Sequence, residues 1–173
     1  MRMTALFPVL VAVLLVGAAR ADQVFQPPQS FLRQAFAGTV PDPAVVWLTG
    51  ERMDAAARIL GHRPHMLRVR YWGRSHRTAW ILEEIGKERP ITTGVVIDGG
   101  RIERVAVLVY RESIGWEVRY AFFTDQFENV RLTDDLRLNK AVDGISGATL
   151  SVRAVTNVAR LALYLDGQTP HGQ

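Results

Sequence analysis

Two apolar arms on either side of Asp98-Gly99-Gly100 constrain the fold more than any other stretch of this chain. Ile91 to Ile97 and Ile102 to Tyr110 are rich in β-branched residues, and the glycines between them suit a tight hairpin. The second arm is apolar on both faces, which calls for an interior strand covered by helices. Around this hairpin the chain alternates strand and helix patterns. Val45 to Leu48 reads as a short strand. Met66 to Trp72 alternates Leu67, Val69 and Tyr71 with Arg68 and Arg70, Gly73-Arg74 makes a turn, and Thr78 to Leu82 follows as a strand. Ser30 caps a short helix through Phe36 that packs Phe31, Leu32 and Phe36. Glu51 to Leu60 is a helix with an acidic start and Gly61 just past its end. Arg119 to Gln126 reads as a helix bringing Phe122, Phe123 and Phe127 to the core, and Arg137 to Val142 as a last extended segment. The fold class expected is α+β: a largely antiparallel sheet with packed helices.

The clearest helix is the last. From Leu150 to Leu165, Val152, Val155, Val158, Ala159, Ala162 and Leu165 share one stripe, while Arg153, Thr156, Asn157 and Arg160 gather opposite. Asp166-Gly167 ends it, and residues 168–173 read as a short disordered tail.

The amino terminus points to export. Arg2 precedes an apolar run from Ala5 to Ala18, and Ala19-Arg20-Ala21 offers a small-x-small cleavage site before Asp22. Residues 1–21 are therefore expected to be a cleaved signal peptide. The run is shorter than the roughly 18 apolar residues of a spanning helix, and an uncleaved anchor is the alternative. Cleavage removes Arg2 and Arg20, leaving 19 basic against 17 acidic residues and a net charge of +2 where the whole chain has +4. So weak a positive charge argues against nucleic acid as a partner. The absence of cysteine excludes disulfides, thiolate metal sites and thiol redox chemistry, so any redox function needs a bound cofactor. What remains is long enough for one domain with its own core, and it contains no repeats.

The segment that carries chemistry is Asp143-Gly144-Ile145-Ser146-Gly147-Ala148-Thr149-Leu150-Ser151, at the start of the last helix. Gly147 and Ala148 keep the backbone narrow beside a threonine hydroxyl, and free amides at a helix N-terminus favour an anionic phosphate. A turn followed by a Ser or Thr helix cap would use some of the same residues, but the full pattern arises by chance only on the order of 10⁻⁴ times in such a chain. It resembles the flavin attachment motif Asp-x-x-Ser/Thr-Gly-Ala-Thr/Ser-x-Ser/Thr of FMN-binding domain proteins. The resemblance extends through Glu84 to Val96, Tyr110 to Val118 and Phe122 to Phe127, and is clearest over residues 80–165. It implies an exported flavoprotein in which Thr149 is esterified to FMN phosphate by a transferase that uses FAD and a divalent metal. Asp143, Ser146, Gly147, Ala148 and Leu150 complete the site, set in a turn at the N-terminus of the C-terminal helix. It further implies an electron carrier in the cell envelope, with a membrane-bound redox partner. The organisation expected is a lead-in with a short helix over 22–43, an FMN-binding domain over 44–168 and a tail over 169–173.

Other residues carry two readings each. Arg111 and Glu112 are candidates for the flavin pocket or an ion pair at a strand end, and Gln126 for a flavin edge or the solvent. Trp72, Trp80, Trp116 and Tyr120 suit stacking on an isoalloxazine, or the core. Arg68, Arg70, Arg74, His76 and Arg77 suit an acidic partner, or the wet face of a strand. His62 and His65 lack a spaced third ligand for a metal. Beside the electron carrier, two other functions stay open: direct reduction of a small substrate at the flavin, and a cofactor-free interaction domain.

Overall fold

A computed structural model describes residues 22–172. The signal segment assigned to residues 1–21 lies outside the described residues. The elements are β1 (Gln23–Val24), α1 (Pro28–Ala35), β2 (Pro43–Trp47), α2 (Glu51–Leu60), β3 (Arg68–Arg74), β4 (Arg77–Ile85), β5 (Pro90–Asp98), β6 (Arg101–Tyr110), the short helix α3 (Ala121–Thr124) and α4 (Thr149–Asp166). The six strands form one antiparallel sheet in the order β1-β6-β5-β4-β3-β2. The fold is therefore α+β, a meander of five strands with the two-residue β1 added beside β6. Among the described residues no helix is long and apolar enough to cross a membrane.

Both faces of the sheet are covered. On one, α2 and α4 bury Met53, Ile59, Val155, Val158 and Leu165 against Val69, Trp80, Val95 and Val107. On the other, α1 packs Phe31, Leu32 and Phe36 against Ala79, Val96 and Leu108. Each such side chain removed from water contributes about 1.5–3 kcal/mol before entropy is counted. Gly94 lets the two layers close, because a Cβ there would stand 2.6 Å from the Phe31 ring. The β5–β6 hairpin turns through Gly99 and Gly100, both at positive φ (53° and 70°), as a two-residue turn of type I′ requires. Its second arm, β6, is buried on both faces only over its last four residues, and the side away from β5 is bordered only by the two-residue β1. The strand buried along nearly its whole length is β5.

Several local expectations change. Helix α1 starts at Pro28, two residues before Ser30, because a proline at the first helical position needs no N–H acceptor. Strand β2 likewise begins at Pro43 and ends at Trp47. The β3–β4 turn falls at Ser75-His76 and not at Gly73-Arg74, which continue the strand. Gly73 serves a close contact instead: a Cβ on it would lie 2.4 Å from the His171 ring. The expected helix over 119–126 is broken into a 3₁₀ turn at Trp116–Arg119, α3, and a second 3₁₀ turn at Asp125–Phe127. Extended backbone at Tyr120 interrupts it (ψ 152°), and Phe122 is exposed while Phe123 and Phe127 are buried. Residues 137–142 form no strand and contribute only an isolated bridge between Leu132 and Leu138.

Helix α4 is buried on more than its expected stripe. Asn157 donates to Leu60 O (3.2 Å), and Arg160 donates to Ile59 O (3.2 Å) and twice to Leu136 O (2.7 and 2.9 Å). These polar side chains occupy the carbonyls left free at the end of α2. The tail is also placed: Thr169 is buried, and His171 Nδ1 pairs with Ser75 O at 2.7 Å.

Candidate functional site

The attachment segment reaches α4 through a tight turn. Ala148 N–H donates to Ile145 O at 3.0 Å, and Gly147, third in that turn, has φ +81°. Positive φ at the third position alone defines a type II turn and suits glycine. Nothing lies within 4 Å of where a Gly147 Cβ would point, so its role is backbone conformation and not space. Ala148 is buried and forms the N-cap with no capping side chain, which overturns the Ser or Thr cap as the reason for this sequence. Thr149 is the first helical residue and is exposed, as are Asp143, Ser146 and Gly147. The first N–H to enter the helical ladder is that of Val152, bonded to Ala148 O at 2.9 Å. The amides of Thr149, Leu150 and Ser151 thus precede the ladder, at the positive end of an 18-residue helix.

Ser151, the last motif residue, points inward. Its Oγ lies 2.9 Å from the Tyr110 hydroxyl, which donates to Ile114 O at 2.5 Å. Burial pushes the Tyr110 phenol above its ordinary value despite the Ser151 bond, so it remains a neutral link. This pair ties the end of β6 and the loop after it to the first turn of α4. Gly115 completes the junction at φ +87°, where a Cβ would stand 2.8 Å from Ser151 Oγ and 3.3 Å from the Ala148 Cβ.

Beside Thr149 opens a groove of about 640 Å³, between α4 and the chain from Arg137 to Val142. Val142, Ala141, Leu138 and Val152 line it together with Lys140, Arg153, Arg137 and Arg160, and no acidic residue is among its walls. Its volume falls within the roughly 300–1,000 Å³ of small-molecule sites, and its cations suit an anion. A second recess, about 170 Å³ and mainly apolar, lies between Leu48, Leu60, Leu82 and Leu161. It is better enclosed, but Leu161 is some 18 Å along the helix from Thr149 at 1.5 Å per residue. The groove at Thr149 is therefore the relevant one.

The secondary candidates separate from the site. Glu112 Oε1 accepts the N–H groups of Lys87 (2.5 Å), Glu88 (2.7 Å) and Arg89 (3.0 Å), holding the β4–β5 turn. Burial would raise its carboxyl, but the three amides outweigh burial and hold it below its ordinary value. Arg111 donates to Asp22 Oδ2 (2.9 Å), Pro90 O (3.1 Å) and Thr92 Oγ1 (2.9 Å), joining the start of the described chain to β5. Arg111 forms an ion pair at the strand end, as one of its two readings had it, while Glu112 has no cationic partner among the described residues and binds the three amides instead. Gln126 faces neither a groove wall nor solvent alone: its Oε1 accepts the Asp143 N–H at 2.7 Å, bracing the attachment loop.

Trp80 is fully buried, stacks on Tyr71 and donates to Thr78 Oγ1. Trp72 is partly buried against the α1 layer. Trp116 and Tyr120 are exposed, with the Arg119 guanidinium 5.0 and 4.8 Å from their rings. The basic run is divided. Arg68 and Arg70 are exposed, Arg74 donates to Thr39 O, and Arg77 pairs with Asp98 and Glu103. His62 pairs with Glu84 at 2.9 Å, a bond that raises its pKa.

Residues 86–164 match the model of the FMN-binding domain family. The chain carries an FMN-binding domain. No curated protein matches the chain. The matched stretch of the FMN-binding domain begins one residue after β4 and takes in β5, β6, α3, the attachment turn and most of α4. The sheet runs on without a break into β4, β3 and β2, and α4 packs across β4 as well as β5. The protein is an FMN-binding flavoprotein on the strength of this domain. The sequence missed Lys140 and Arg153 as neighbours of the attachment turn, and Tyr110 and Gln126 as its supports. The available signal was the run of cations flanking the motif, with Arg153 and Arg160 four and eleven residues beyond Thr149.

Proposed function

We propose that this flavoprotein carries FMN covalently on Thr149, works outside the cytoplasm and passes electrons between a membrane-bound partner and another redox protein. The observation that carries the reading is an exposed threonine at the first position of α4, opening onto a cation-lined groove. Loading is a phosphoryl transfer from FAD by a flavin transferase. Thr149 Oγ1 forms the new P–O bond, the diphosphate bond breaks, AMP leaves with the electron pair, and the hydroxyl proton passes to a base of the transferase. The turn at Ser146-Gly147 leaves room for that enzyme to approach.

The residues present fit the group. The unladdered amides of the first turn would hold the phosphodiester, where the helix dipole would add about 0.3–1 kcal/mol. Lys140 and Arg153 supply the countercharge, and Leu138, Ala141, Val142 and Val152 offer an apolar wall. Bound FMN supplies one- and two-electron chemistry that the side chains of this cysteine-free chain lack. The protein's share would be the positive charge of Lys140 and Arg153 in the groove beside Thr149, which would favour reduction of a group held there. Tethering keeps the cofactor at its site where no cytoplasmic pool can replace it.

The test is intact-mass measurement and peptide mapping of protein exported from cells that also express a flavin transferase. The expected result is one FMN adduct on the peptide containing Thr149, absent from Thr149→Ala. An unmodified chain beside a flavinylated control refutes the covalent reading. Turnover of small acceptors by the purified flavoprotein, with no protein partner, refutes the carrier role.

A further inference from the structure

The sheet ends on β2, and that edge is open. β2 pairs with β3 alone, and no strand of the described residues lies beyond it. Leu48 N–H donates to Leu67 O at 2.8 Å, which makes these two a hydrogen-bonded pair. The alternation of an antiparallel ladder then gives Ala44 and Val46 their bonds to β3 and turns the N–H and C=O groups of Val45 and Trp47 outward. Those outward groups have no hydrogen-bond partner among the described residues. Edge strands are ordinarily blunted by charge, a bulge or an interior proline. β2 reads Pro43-Ala44-Val45-Val46-Trp47, with its one proline at the start, no charged residue and no shift of register.

The side chains beside the edge are apolar and basic. Val45 and Trp47 are 41% and 54% exposed, opposite Arg70 and Arg68 of β3. A groove of about 440 Å³ separates Val45, Arg68, Arg70 and Trp72 from Leu32 of α1, and no carboxylate lines it. Over β2, β3 and β4 this face of the sheet presents Arg68, Arg70, Arg74 and Arg77 against the one carboxylate Glu83. Arg77 is paired with Asp98 and Glu103, while Glu83 accepts from Thr92 Oγ1 and lies 3.4 Å from Arg111. Arg68 and Arg70 are exposed and form no ion pair among the described residues.

We infer that β2 is the docking edge for an extended acidic segment of a protein partner, which joins the sheet as a further strand. Main-chain bonds to Val45 and Trp47 supply the pairing. Carboxylates on the α1 side of the added strand meet Arg68 and Arg70, and their alkyl stems lie over Val45 and Trp47. The added strand stands about 10 Å from β3, two strand spacings, which an arginine and a glutamate reach together. A row of alternating N–H and C=O groups is matched by another extended main chain, whereas phosphate polymers and lipids carry no such ladder. The inference rests on the sheet and stands whether or not Thr149 is modified.

The test follows the backbone amides of the nitrogen-15 labelled full chain by NMR, with acetyl-Glu-Val-Glu-Val-Glu-Val-amide as a model strand and its lysine counterpart as control. The acidic peptide is expected to shift the Val45 and Trp47 amides, slow their hydrogen exchange and bind about tenfold tighter than the basic one. Arg68→Glu/Arg70→Glu, at exposed positions, is expected to invert that preference, while Arg101→Glu on β6 leaves it unchanged. Methylation of the peptide nitrogens that face β2 is expected to abolish the protection. Spectra unchanged by either peptide, equal binding of the two, or binding indifferent to methylation overturns the proposal. Protection of both amides without peptide, in a dimer that forms with rising concentration, also overturns it and assigns the edge to a second copy of the chain.

Discussion

Replacing Glu112 with glutamine separates a structural role from a flavin role. One carboxylate oxygen holds the amides of Lys87, Glu88 and Arg89 at 2.5, 2.7 and 3.0 Å. A hydrogen bond to a charged acceptor contributes about 1.5–3 kcal/mol. Three bonds converging on one atom do not add independently, and the turn is exposed enough for freed amides to reach water. The glutamine carbonyl keeps weaker versions of these bonds. The net loss is about 2 kcal/mol, a fall in Tm of roughly 4–8 °C for a domain of this size. The pH dependence supplies a signature. Glu112 titrates below its ordinary value in the folded protein, so its contribution is present above the unfolded pKa of about 4.3 and is lost as pH falls through the lower, folded one. Urea unfolding at pH values falling from neutral through the unfolded pKa should show the gap between wild type and Glu112→Gln narrowing as acid protonates the carboxylate. FMN loading at Thr149 and the flavin absorption spectrum should be unchanged. Wild-type stability in the variant, or a gap that persists at the acid end, refutes the amide-clamp account.

Thr149→Ala should unfold within about 0.5 kcal/mol of wild type, because the residue is exposed and caps nothing; a larger loss in thermal melts would show an unrecognised structural contact. Asp166→Asn should be more stable than wild type at neutral pH. Burial raises the Asp166 carboxyl above its ordinary value, and Oδ2 has no partner among the described residues while Oδ1 accepts from Thr78. Such a group stabilises fully below its unfolded pKa of about 3.9 and loses that contribution as pH rises through the folded pKa. The advantage of asparagine should therefore vanish in acid, and an advantage independent of pH in calorimetry would contradict this reasoning. Gly115→Ala should lose about 1–2 kcal/mol from the backbone alone, plus the contact with Ser151 Oγ. Denaturant melts measure the loss, and flavin loading should fall as the first turn of α4 shifts. A neutral substitution would mean the junction is looser than described.

Local chemistry explains what could be read from the chain. Glu51 to Leu60 has its observed boundaries because an acidic start and Gly61, at φ +82°, act within one turn of the helix. The Asp98-Gly99-Gly100 hairpin is equally local, since two positive φ values must fall on residues that tolerate them. Nothing nearby reveals why Gly73 lies inside a strand, since the His171 ring that requires it comes from 98 positions further along. Nor does a helical wheel show that Asn157 and Arg160 meet the end of α2 instead of water. The break at Tyr120 is also hidden, because the pattern from Arg119 to Gln126 gives no sign that Phe122 is left outside while Phe123 and Phe127 are buried.

The sequence by itself determined the α+β class, the β5–β6 hairpin and the nine-residue segment that opens α4, because pattern and turn chemistry act between near neighbours. Tertiary structure alone decided that Arg111 and Glu112 serve the β4–β5 turn and the start of β5, and that Gln126 braces Asp143. It also decided that cations from two separate segments face one groove beside Thr149. Those outcomes depend on which carbonyls and amides the packed sheet leaves unpaired, and that accounting closes only when distant segments meet.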